Sequence, residues 1–200
     1  MKLIIFSVLC TFLGGAFASS SGAEGSNCAA LAKISADLDN ASTYFSQINS
    51  SDKKESPGQL ALELIEGLNH IQDFMKDIYT VDLTSYSQLK PLQLIIPAIQ
   101  NGLKNQVTEL EKELATGQVD DSIRARIDSL SKSLALATSK LNDGKLATTC
   151  DLNEHVKLDV MVSYLCNIAI ALEIVVNALN IFGLLDSVQS ILQLICILRP

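Results

Sequence analysis

Tryptophan is absent from this 200-residue chain and aromatic residues of every kind supply only 5% of it, although hydrophobic residues make up 48%. A core of Leu, Ile, Val and Ala with few large rings packs through flexible aliphatic side chains and can present adaptable apolar surface. Histidine is scarce as well, with only His70 and His155. Neither has a second histidine at the spacing of a zinc helix, and no serine stands in a G-x-S-x-G elbow. Glycine-rich phosphate loops and acidic loops with calcium spacing are also missing. The chain therefore reads as non-enzymatic, without cofactor or metal.

Strand patterning is missing too. Apolar and polar residues do not alternate over any useful length, and hairpin dipeptides flanked by β-branched runs are absent. Runs of Lys or Arg are lacking, and acidic residues outnumber basic ones by 22 to 15. Such a surface repels phosphate backbones, so nucleic-acid binding is excluded, and attraction to anionic headgroups is disfavoured while apolar contact with lipid is not.

What is present starts with a leader. "MKLIIFSVLCTFLGGAFASS" carries Lys2, an apolar run, and Ala16 and Ala18 in an A-x-A arrangement, the pattern of a secretory signal peptide over residues 1–18. Residues 19–27 read as a small, polar, flexible segment, and residues 28–200 as one helical bundle domain of a secreted, extracellular protein. Lys2 is the leader's only charge, so 14 basic against 22 acidic residues leave the mature chain at −8. Cys10 departs with the leader, leaving Cys28, Cys150, Cys166 and Cys196, none in a C-x-x-C pair. In an oxidising compartment these read as two disulfides, with three connectivities open.

Along the rest of the chain the apolar residues recur with a helical period. Leu31, Ile34, Leu38, Ala41, Phe45 and Ile48 fall on one face of a first helix. Ser56 and Pro57 open a second, striped by Leu60, Leu64, Leu68, Ile71, Met75 and Ile78. A third starts near Pro91, carries Leu92, Ile95, Ile99, Leu103, Val107, Leu110 and Leu114, and stops at Gly117. Pro97 predicts a kink or a delayed start there. A fourth carries Ile123, Ile127, Leu130, Leu134, Ala137 and Leu141 and stops at Gly144. Short connections make consecutive helices antiparallel neighbours.

The segment after Cys150 differs in kind. From Val160 to Leu185 almost nothing is charged except Glu173, and the run is long enough to span a bilayer. At 100° per residue, however, Asp159, Cys166, Glu173, Asn177 and Asn180 gather on one narrow stripe. A lipid-facing helix has no need of such a seam, whereas a central helix with one edge at water does. A charge at mid-bilayer is also costly, by about 2.5 to 3.5 kcal/mol. The segment is therefore read as a buried helix rather than a stable transmembrane span. Gly183 and Asp186 then read as a stop and a new cap, opening an amphipathic last helix, "DSVQSILQLICILRP".

The fold class predicted is all-α: a single-domain antiparallel bundle of five to six helices, disulfide-stapled, with a very apolar C-terminal helical hairpin. An up-and-down order brings Cys28 near Cys150, and a reversal centred near Ile181 places Cys166 opposite Cys196, which predicts those two pairs. Two N-x-S/T sequons, at Asn40 and Asn49, lie on the solvent side and at the end of the first helix and are candidate glycosylation sites.

The predicted function is a secreted protein that binds hydrophobic or amphiphilic small molecules, or lipids, or acts at an air–water or lipid interface like a surfactant. Two other readings share the architecture: an extracellular helical signalling or interaction module, and a membrane-inserting defence protein.

Overall fold

The computed structural model describes residues 30–50, 55–80, 90–142, 154–180, 189 and 196, with the side chains of 90–92 and 154–162 left aside. The leader, the segment 19–27, Cys28, Cys150, Gly144 and most of the last helix lie outside these residues. What is described is all-helical, with five helices and, among the described residues, no strand. They are α1 (30–50), α2 (Pro57–Thr80), α3 (Lys90–Thr116), α4 (Ser122–Asn142) and α5 (Glu154–Leu179). Gln189 and Cys196, beyond α5, are also helical.

The helix ends follow from local chemistry. At the start of α2, Ser56 Oγ accepts the Gln59 N–H at 3.3 Å, and Pro57 takes the first helical position, where its missing N–H costs nothing. Past the end of α3, Gly117 adopts a left-handed φ of 68°, and the Gln118 N–H returns to the Glu113 carbonyl at 2.9 Å. Asp120 Oδ1 accepts the Ser122 N–H at 2.9 Å and caps α4, and Lys140 favours the dipole at its other end. Pro97 neither delays α3 nor ends it; the helix runs through it from Lys90, with the ring on the exposed side.

One difference concerns the end of α5. The sequence carries the helix on to Gly183, but it closes at Leu179, because Asn180 adopts a left-handed φ of 50° and returns its N–H to the Asn177 carbonyl at 3.1 Å. Asparagine tolerates that conformation better than other side-chain-bearing residues. Asn180 thus sits just beyond the helix rather than on its seam.

Cross-helix pairs give the directions. Lys33 of α1 bonds Asp77 near the end of α2, and Tyr44 bonds Glu66 nearer its start. Ser35 bonds Asn142 at the end of α4, and Asn49 bonds Asp128 near its start. So α1 runs antiparallel to both α2 and α4. Among the later helices the most extensive pairings are α4 with α5 and α2 with α3.

One aliphatic core joins residues of all five helices. Among the described residues its fully buried rings are Phe45, Phe74 and Tyr164, and Asp77 is the sole buried charged or polar residue. Non-directional apolar burial, at roughly 25 cal/mol per Å², therefore dominates the cohesion of the bundle. Among the described residues no helix is long and apolar enough to cross a membrane.

Candidate functional site

Helix α5 is the most deeply enclosed. Ile168, Ala169, Ala171, Leu172, Val175 and Val176 are all buried, each at 1% exposure or less. Its water-facing edge consists of Asn167, Ile170, Glu173 and Ile174, half-buried, and Asn177, exposed, with Asn180 exposed beyond. Asp159 belongs to α5, but its side chain is not among those described. Cys166 shares the angular position of that edge and is nevertheless buried, for it is bonded to Cys196 with Cα atoms 5.3 Å apart. The structure thus brings these two cysteines together; Cys28 and Cys150 lie outside the described residues.

Because the described apolar sector of α5 is covered, accessible concavity is found instead at helix ends. One groove of about 610 Å³ lies between the end of α1 and the starts of α2 and α4, lined by Ile48, Asn49, Leu60, Arg124, Ile127 and Asp128 among others. Arg124 and Asp128 are both engaged there. The Arg124 guanidinium donates to the Glu55 carbonyl, and Asp128 accepts from Asn49 Nδ2 at 3.2 Å and from Lys132 Nζ at 2.6 Å. Those bonds, the Lys132 one foremost, hold the Asp128 carboxyl below its usual range.

A second groove, of about 570 Å³, lies where α3, α4 and α5 meet. Gln106 comes from α3; Ser122, Ala125, Arg126, Ser129 and Leu130 come from α4; Ala178, Leu179 and Asn180 close it at the end of α5. Gln106 Nε2 donates to the Leu179 carbonyl, satisfying one of the acceptors that a helix end leaves open. Both volumes fall in the range of small-molecule sites, about 300 to 1,000 Å³.

Tyr44 hydroxyl donates to Glu66 Oε2 at 2.9 Å, its ring lies 4.9 Å from that of His70, and burial followed by the Glu66 bond pushes its ionisation well up. This cluster joins α1 to α2 and offers no nucleophile. Of the two sequon asparagines, Asn40 is exposed on the outer side of α1, and Asn49 is exposed at the rim of the first groove. Among the described residues no group of three or more His, Cys, Asp or Glu could hold a metal ion.

The grooves were not legible as sites. Arg124, Arg126, Asp120 and Asp121 read in the sequence as part of a mixed, solvated charge face. The available signal was the small-residue row Ser122, Ala125 and Ser129 at helical spacing, which leaves room beside α4. No known protein family, curated protein or solved structure matches this chain.

Proposed function

We propose that this is an exported, non-enzymatic, disulfide-stapled helical protein that takes up amphiphiles or works at an apolar interface. The observation that carries the reading is the sheathing of α5. The wide apolar sector of α5, from Tyr164 to Leu179, is covered by helices that each contribute a single apolar stripe, through a core with hardly any directional polar bond. Such a bundle can part along aliphatic seams without breaking a buried polar network, and would then offer continuous apolar surface to an acyl chain or an interface. The grooves at the helix ends supply smaller sites of mixed polar and apolar lining that need no such opening.

The acidic balance supports contact through apolar surface rather than through headgroup charge. The leader and the paired cysteines support export, and the sequons at Asn40 and Asn49 make the secreted form a glycoprotein in a host that glycosylates. Surface tensiometry and titration with a fluorescent fatty acid test the reading together. Saturable uptake, or a fall in surface tension at micromolar protein, is the expected result; behaviour matching an inert globular control in both assays would remove it.

A further inference from the structure

The groove at the junction of α3, α4 and α5 differs from its neighbour in one chemical respect. In the first groove Arg124 is already held by a backbone carbonyl. In the second, Arg126 is half-buried and has no hydrogen-bond or ion-pair partner among the described residues. A partly dehydrated guanidinium with no acceptor stands out in a chain with 22 carboxylates to draw on. Ser129, exposed one turn further along α4, lines the same groove and offers its hydroxyl there.

The surroundings favour an anion at Arg126 and an acyl chain beside it. Arg126 lies near the start of α4, the positive end of that helix. The opposing negative end of α5 is moderated, since Gln106 already donates to the Leu179 carbonyl. Asp120, the nearest capping carboxylate, is engaged with Ser122, whose bonds hold it below the usual carboxylate range. Beside Arg126 the groove carries apolar lining, made by the buried Leu130 one turn along and by Leu179 with Ala178. Resting on the amphiphile reading above, we infer that this groove receives a single-chain amphiphile with a carboxylate head, Arg126 and Ser129 holding the head and Leu130, Ala178 and Leu179 the adjoining methylenes.

The test uses the full chain and two probes of equal length, dansyl-undecanoic acid and the corresponding dansyl alcohol. Arg126→Gln should weaken the acid about tenfold, the scale of a lost charge-assisted hydrogen bond, and leave the alcohol unchanged. Lys140→Gln, which removes an exposed charge at the far end of α4 and outside both grooves, should alter neither, and Ala178→Phe, which fills the groove, should weaken both. Equal acid binding by Arg126→Gln and wild type, or unchanged binding by Ala178→Phe, overturns this site while leaving amphiphile uptake standing. Failure of wild type to bind either probe also overturns this site, and the broader reading falls with it only if surface tension is likewise unmoved.

Discussion

The ring of Phe45 lies directly over Gly67: a Cβ placed on that glycine would stand 2.5 Å from two of the ring's carbons. The absence of a side chain on α2 is what lets α1 approach it at this level. Phe45 is fully buried, so its ring cannot move out into solvent without losing that burial.

Gly67→Ala should therefore destabilise the protein, although alanine is worth about 1 kcal/mol more than glycine inside a helix. Overpacking of this kind costs about 1–3 kcal/mol, so a net loss near 1 kcal/mol is expected in urea denaturation. In a Phe45→Leu background the same change should turn neutral or stabilising. Equal effects in the two backgrounds would show that the ring is not the obstacle.

Tyr164 ties α5 to α1 by donating its hydroxyl to the Leu31 carbonyl at 3.2 Å in the interior. Tyr164→Phe should cost about 1 kcal/mol, the net worth of one such bond. Burial pushes the phenol up to about 12, so the donor stays protonated through ordinary pH and its contribution is lost only as pH rises through that value. Spectrophotometric titration of wild type against Tyr164→Phe would show one late-ionising tyrosine fewer in the variant.

Glu63 gives a stability prediction of opposite sign. One of its carboxylate oxygens is buried without a hydrogen-bond partner among the described residues, and burial, opposed by the Gln59 Nε2 bond to the other oxygen and reinforced by acidic neighbours led by Glu55, raises its carboxyl above 4.5. A raised carboxyl favours the folded state while protonated. That advantage is complete below pH 4.5 and is lost as pH rises through the folded value. Glu63→Gln should accordingly raise the urea midpoint at pH 7 and change it little at pH 4. A lower midpoint at pH 7 would mean that the carboxylate is held by a favourable partner.

These cases also mark how far the sequence could be read. The stripes of α1, α2 and α4 are all buried residue for residue, because a bundle helix with one covered face writes its burial as a 3.6-residue period. On α3, Val107 and Leu114 are only half-buried, and Ile96, off the predicted stripe, is fully buried, since that helix rolls against its neighbours along its length. The Phe45–Gly67 approach escaped notice because periodicity records which face is covered, not how close two backbones come. Asn180 ended α5 before Gly183 because a left-handed asparagine leaves no trace in hydropathy. Arg126 was hidden for a similar reason: a guanidinium beside acidic residues looks solvated until the fold shows which groove it lines.

Uptake of an amphiphile is the central claim, and native mass spectrometry of the purified protein, incubated with a small excess of dodecanoic acid and then desalted, tests it most directly. The account predicts a saturable adduct of one or a few acyl chains on the folded protein, abolished by reversible unfolding. Spectra showing only the bare chain, under conditions where a known fatty-acid carrier retains its ligand, would contradict it.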